Sequence, residues 1–513
     1  MSKKKNLERA IVLGLILSTG VYGNVLAADP VGIGIDHFKG DAINGVITVN
    51  EDTIVKGTGV YGPDVSSDSG PGGNAEVLKN SLFYRDGKLL NLTISAGNGV
   101  QLTFHNVNML SPHIVRNGDG NGADIIILDN KENVDKTFAG ISVTGIIEGN
   151  SLTVNSGGRG IYTGVDNTKY PVIDNNNNPF YGVKIDVING FEINSASDGI
   201  FNEGDSESDV TITAGSVYIE NTDRNGIYNA GQSTDAGNNV TVSALDGNIV
   251  IKSHGIGDDQ ASVKNKTSGT TALTASGIID IYGAANGIYA TKGTVNLSSK
   301  DGNSISAKVY EGEDFKQRRS ISAEGGSQVN LNAIAGSNVL NGVIFAKDDT
   351  TSVTLKHNIL DEEGNVVKRG SGSNYIYSSS KGSKDTVGDR SDVVAALYAQ
   401  NEGRIELAAG EGGINYIESF YTDLDDSDTS NDSERTVWAQ RGGVIDINGT
   451  TVIKSSNAEN FYEDGYATNS RGVAITAGSG DITTDPIPEG VRSTVNVEYG
   501  GAVTLEDKTT FNL

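Results

Sequence analysis

The chain has 513 residues, of which 36% are apolar and 67 are glycine, and it contains no cysteine. Disulfide staples, thiolate chemistry and a lipidated cysteine anchor are thereby excluded, and so few apolar residues favour a narrow, elongated fold over large spherical cores. A formal net charge of −26 repels phosphate backbones, so no nucleic acid is expected as a partner.

Residues 1–28 read as an export signal. Lys3, Lys4, Lys5 and Arg9 precede an apolar run from Ala10 to Leu17. Val25-Leu26-Ala27 fits the small-residue cleavage rule, which places the cut after Ala27 or Ala28. The run is too short to span a bilayer, and later apolar stretches such as Ile125-Ile126-Ile127-Leu128 are shorter still. Residues 29–140 are expected to form an N-terminal cap and the first rungs of a solenoid, and 141–513 further rungs with loop insertions.

A short pattern recurs along the mature chain, in which an apolar, a polar and another apolar residue follow a glycine or small-polar turn. It stands at Leu92-Thr93-Ile94, Leu152-Thr153-Val154, Val210-Thr211-Ile212, Val240-Thr241-Val242, Val295-Asn296-Leu297, Val329-Asn330-Leu331, Val353-Thr354-Leu355, Ile405-Glu406-Leu407, Ile445-Asp446-Ile447 and Val495-Asn496-Val497. Alternation at period two puts both apolar residues on one face of a strand. A second motif alternates with it: Gly160-Ile161-Tyr162, Gly199-Ile200-Phe201, Gly226-Ile227-Tyr228, Gly287-Ile288-Tyr289, and the looser Ala396-Leu397-Tyr398 and Thr436-Val437-Trp438. Asn225-Gly226 and Asn286-Gly287 are turn dipeptides that tolerate positive φ, so each copy predicts a tight corner entering a short strand. The long gap between Gly226 and Gly287 has room for a degenerate copy at Gly255-Ile256.

One unit is being repeated, and one unit cannot bury its apolar face alone. Copies must stack, each strand pairing in parallel with its equivalent in the next rung. The expected fold is all-β, an elongated solenoid of the parallel β-helix type. Rungs of about 27 residues would give about 18 rungs and a rod on the order of 85 Å long. A string of β-sandwich modules is the competing architecture, but its strands run longer before they break.

The Gly-Ile-Tyr corner, the short linker Ala290-Thr291-Lys292-Gly293 and strands such as Gly293-Thr294-Val295-Asn296-Leu297 resemble the passenger domains of type V autotransporters, over nearly the whole mature chain. The resemblance implies a right-handed β-helix displayed outside the outer membrane. It also implies an outer-membrane translocator barrel as partner. No such barrel reads in this chain, whose final residues up to Leu513 remain solenoid-like; the expectation is either a fragment or a passenger exported with a separate translocator.

Right-handed β-helices include pectin-cleaving enzymes, whose chemistry needs paired carboxylates. Asn221-Thr222-Asp223, His254-Gly255 and Asp258-Asp259 echo polygalacturonase motifs, but the aspartate pair follows the histidine instead of preceding it, and Ser253 replaces a glycine. Asp68-Ser69-Gly70 and Gly204-Asp205-Ser206 match parts of a serine-protease nucleophile motif, which Pro71 and Glu207 break. Residues Gly120 to Asp124 resemble one turn of a calcium-binding nonapeptide, without repetition in neighbouring rungs. The run Asp423, Asp425, Asp426, Asp428, Asp432 and Glu434 has calcium-loop ligand types, but Asp428 stands where an EF-hand needs glycine. The five histidines, 37, 105, 113, 254 and 357, form no metal-spaced pair. No catalytic residue, metal ligand or cofactor is assigned.

The expected role is therefore an exported, surface-displayed adhesin or adhesion-like protein whose partners are host-cell, bacterial-cell or glycan surfaces, with a polysaccharide-cleaving β-helix enzyme as the alternative. Loops at 62–74, 166–180, 370–392 and 421–435, with a tyrosine ridge of Tyr162, Tyr228, Tyr289 and Tyr398, are the expected contact surfaces. The competing role for the tyrosines is plain stacking.

Overall fold

A computed structural model describes residues 32–512 except 43–44, 59–83, 86–87, 90–91, 130–138, 143, 165–171, 174–178, 205–207, 232–236, 258, 308–318, 362–364, 381–394, 422–434, 458–472, 478–480, 485–494, 498–501 and 506–508. The export signal and the serines at 69 and 206 lie outside the described residues, as does the acidic run from 423 to 434.

Three long parallel sheets wrap one continuous core. Sheet I and sheet II have 15 strands each and sheet III has 13. One coil shows the logic: Val210–Ala214 lies in sheet I, Ser216–Asn221 in sheet II and Ile227–Asn229 in sheet III, and Val240–Ala244 then returns to sheet I. There Val210 pairs with Val240 and Ile212 with Val242, so like residues stack on like. Ile212, Ile219 and Ile227, one from each sheet, are fully buried in the same apolar cluster. The chain is a parallel β-helix, and the sandwich alternative falls because every pairing within the three sheets is parallel. Antiparallel pairs occur among the described residues only in three two-stranded hairpins.

Fifteen coils at strand spacing make a rod on the order of 70 Å long. Among the described residues the 18 rungs expected from the sequence become 15, the mean coil being longer than 27 residues. A six-residue helix, Ile35–Gly40, buries Ile35 and Phe38 against the first coil; helical periodicity was not expected there, and two residues three apart are too little to announce it.

All six copies of the glycine-aromatic motif fall in sheet III. Their six inward residues, with Val263, Ile321 and Ile344 from the coils between, form one column running Ile161, Ile200, Ile227, Val263, Ile288, Ile321, Ile344, Leu397 and Val437. The degenerate copy is therefore Ser262-Val263-Lys264 and not Gly255-Ile256, whose isoleucine is exposed at the corner. Positive φ is not what the corner glycines supply: Gly199, Gly226 and Gly287 all lack it. Glycine is needed for close approach instead, since a Cβ on Gly287 would lie 2.5 Å from Ile305 Cγ2 and 2.6 Å from the Ser320 carbonyl oxygen.

The first motif divides differently. Eight of its copies lie in sheet I, but Leu152-Thr153-Val154 belongs to sheet II and Val495-Asn496-Val497 to sheet III. Sheet II carries the same alternation in Val217–Ile219 and Ile249–Ile251, and period two alone cannot tell the two sheets apart.

One inward column of sheet II changes chemistry along the rod. Leu152, Phe191, Val217, Ile249 and Ile279 stack in order and are followed by Asn303, Asn338, Asn374 and Asn415. These asparagines are buried. Each amide nitrogen donates to the next side-chain oxygen at 2.8 Å, and Asn415 closes the ladder on the Asn448 carbonyl at 2.9 Å. The pairing repeats the strand spacing, which makes identical amides natural ladder partners.

Insertions leave at the corners. Asn358–Leu360 and Val366–Arg369 form a hairpin, with Val366 and Val367 strongly exposed. The expected loop at 370–392 is only partly a loop: Asn374–Ser380 is a strand of sheet II.

Candidate functional site

Strand alternation gives each sheet an outer face, and the three differ in chemistry. Sheet I presents mostly threonine and asparagine, for example Thr211, Thr241, Asn296 and Asn330. Sheets II and III carry the aromatic residues.

On sheet III the outward column after the buried isoleucines runs Tyr162, Phe201, Tyr228, Lys264, Tyr289, Ser322, Phe345, Tyr398 and Trp438. Tyr162 and Phe201 stack with centroids 5.6 Å apart, and Tyr398 and Trp438 at 4.3 Å with nearly parallel planes. Cations cover the rings: Arg159 lies 4.1 Å from the Phe201 centroid, Lys264 4.7 Å from that of Tyr228, and Arg319 4.0 Å from that of Phe345. Asp198, Asp259 and Glu324 pair with these three cations in turn. Burial, helped by the nearby Asp259 charge, pushes the Tyr228 hydroxyl up to about 12. Desolvation likewise lowers Lys264 below the usual lysine range against the pull of Asp259.

The tyrosine ridge is thus a packed spine. Tyr162 and Tyr398 are buried, which corrects the expectation that they form a contact surface; Tyr228 and Tyr289 are half-buried around Lys264. The cations were not foreseen, because Arg159 and Arg319 stand two residues before the inward Ile161 and Ile321, outside the three-residue motif, while Lys264 replaces the aromatic of a degenerate copy.

Sheet II is more open. Two neighbouring outward columns read Tyr218, Val250, Asp280, Ser304, Val339, Tyr375, Tyr416 and Glu220, Lys252, Tyr282, Ser306, Asn341, Tyr377, Glu418. Tyr-Ile-Glu therefore occurs twice, at 218–220 and 416–418, in the same register six coils apart. Both tyrosine hydroxyls donate to the glutamate two residues on, Tyr416 to Glu418 at 2.8 Å. Burial and the glutamate bond raise both phenols well above the ordinary tyrosine range.

Around the first pair, Lys252 Nζ lies 3.3 Å from the Tyr218 hydroxyl and His254 Nε2 lies 3.1 Å from Glu220 Oε1. Asn194 donates to Glu192 at 2.7 Å and to Asn155 at 3.0 Å. Burial alone would raise the Glu220 carboxyl; hydrogen bonds from Tyr218 and His254 and the charge of Lys252 outweigh it and hold the group below the usual carboxylate range. Its stabilising contribution is therefore present above the ordinary glutamate range and lost as pH falls through the lowered value. Lys252→Met is expected to move the Glu220 titration upward, measured by carboxyl carbon chemical shift; an unmoved midpoint would count against this assignment of cause.

The polygalacturonase-like segments stand in neighbouring coils, with Asn221 paired to Ser253. His254 contacts Glu220, Asn221 is wholly buried, and Asp259 is held by Lys264 at 2.8 Å and Lys266 at 3.6 Å. Asp258 lies outside the described residues. Near the calcium-like turn, Asp124 accepts from Asn150 at 2.8 Å and from Ser151 at 2.5 Å, tying one coil to the next. Among the described residues no three acidic or histidine side chains group as metal ligands, and no helix is long and apolar enough to cross a membrane.

No protein-family model, no curated protein and no solved structure matches this chain. The chain's own side chains therefore carry the functional reading.

Proposed function

We propose that this chain is an exported, surface-displayed passenger of an outer-membrane autotransporter system, acting as an adhesin or adhesion-like binding rod for host-cell, bacterial-cell or glycan surfaces. The observation that carries this reading is the outer face of sheet II, where half-exposed tyrosines recur in register along a rod of fifteen coils. Such a scaffold holds contact groups at fixed intervals and projects insertions such as the 358–369 hairpin from its corners. The basic and apolar leader at 1–28 supports export, and the corner motif supports the passenger resemblance.

Binding without turnover makes a definite expectation. Purified chain should attach to host epithelial or bacterial cells saturably and release no reducing ends from polysaccharide. Non-saturable or absent attachment to every cell surface tried, or steady product release, overturns the proposal.

A further inference from the structure

We propose that the outward face of sheet II binds an extended, uncharged polysaccharide laid along the rod axis; this deepens the binding-rod reading and rests on it. A pyranose ring offers a C–H face and a rim of hydroxyls. The matching surface is a flat aromatic ring beside hydrogen-bonding groups, and sheet II provides that combination repeatedly.

Tyr218, Tyr282, Tyr375 and Tyr416 are all half-buried, with Lys252 Nζ 5.2 Å from the Tyr218 centroid on one face. Counting coils from Tyr218, Tyr282 lies two on, Tyr375 five and Tyr416 six, on the order of 10, 24 and 29 Å along the axis. The glutamates of the two Tyr-Ile-Glu pairs fix their rings by hydrogen bonds, so little side-chain freedom remains to be lost on binding. Glu192 and Glu220, both half-exposed, are acceptors for sugar hydroxyls through charge-assisted bonds.

Charge selects the polymer. These columns and the adjacent strand hold Glu192, Glu220, Asp280 and Glu418 against Lys252, within a chain of net charge −26. Polyuronates and sulfated glycans are repelled. A protein partner fits less well, because the centre of a protein interface is depleted of charge, whereas Glu220, Lys252 and Asp280 stand among these rings. Among the described residues, exposed large apolar residues of sheet II stand only at strand starts, Ile33 and Ile278, and others lie elsewhere, for example at Leu245 and Ile256 or in the 358–369 hairpin. A long chain touching several platforms gains avidity from their linkage, so each platform can be weak.

The test is affinity electrophoresis of the purified chain through gels containing hydroxyethyl cellulose, laminarin or galactomannan, with polygalacturonate as the anionic control. At least one neutral gel should retard the chain and polygalacturonate should not. Tyr218→Ala with Tyr416→Ala should weaken retardation at least tenfold, whereas Tyr218→Phe with Tyr416→Phe, which keeps the rings, should retain most of it. Circular dichroism of both doubles checks the fold, and Tyr282→Ala alone gives an intermediate loss. No retardation by any neutral gel, equal retardation by polygalacturonate, or full binding by a folded alanine double overturns the proposal. Saturable cell attachment in the first of those cases leaves the binding-rod reading standing; loss of both ends it too.

Discussion

Asn374→Ala is expected to destabilise the C-terminal coils by on the order of 2–6 kcal/mol, as much as deleting a core isoleucine. The asparagine sits mid-ladder, accepting from Asn338 and donating to Asn415 at 2.8 Å each, and it is wholly buried. Truncation leaves the Asn338 amide nitrogen and the Asn415 oxygen without partners in a dry interior, and each such orphan costs about 1–3 kcal/mol. His357 adds little to that sum. Its Nδ1 lies 2.8 Å from the Ala333 carbonyl and its Nε2 3.0 Å from Asn374 Oδ1, so both neighbours are acceptors. Burial lowers the histidine below its usual range, so the ring carries one N–H at neutral pH and serves only one of them.

The same reasoning gives an inverse result for the whole column. Replacing Asn303, Asn338, Asn374 and Asn415 together by valine or isoleucine removes donors and acceptors in pairs and continues the apolar stack that ends at Ile279. Four changes should therefore cost less than one. Because solenoid coils lean mainly on their neighbours, the readout is amide hydrogen exchange in the 328–421 strands together with the urea midpoint. A quadruple variant less protected than Asn374→Ala would sink the ladder argument.

Those asparagines also mark where sequence reading stopped. Asparagine in a glycine-rich chain reads as a turn residue, and only the stacked register reveals four of them at one inward position. Sheet III was legible because glycine next to a buried isoleucine recurs at its corner in several coils, a local requirement of close approach. Where Ser262 replaces the glycine and Lys264 the aromatic, the local signal is absent, and the nearby Gly255-Ile256 mimics it instead. Sheet II was readable as strands but not as a separate sheet. Its outer columns are assembled from residues about 30 positions apart, so the match between Tyr218-Ile219-Glu220 and Tyr416-Ile417-Glu418 acquires meaning only when both land in one register. Phe201 and Trp438 were visible as motif members, but their burial depends on Arg159 and the neighbouring rings, which periodicity does not report.

Asp198→Asn should cost about 3–5 kcal/mol although it changes a single group. Asp198 is 1% exposed, and its Oδ1 accepts from the Asn225 backbone and side-chain nitrogens at 3.1 and 2.8 Å, bonds that asparagine can keep. What it cannot keep is the charge facing Arg159, whose Nε lies 3.7 Å from Asp198 Oδ2. Arg159 is itself buried, over the Tyr162 and Phe201 rings at 4.6 and 4.1 Å. Ring faces contribute up to about 2 kcal/mol to a desolvated cation, less than the several kcal/mol needed to strip its water. The lone cation therefore loses, and the spine between residues 159 and 228 should loosen. Adding Arg159→Met removes the stranded charge while keeping an apolar stem against the rings, so Arg159→Met/Asp198→Asn should recover most of the lost stability. The measurement is the urea midpoint of the two singles and the double. Additive losses would mean that the two groups do not interact and that the aromatic column stands without its buried ion pair.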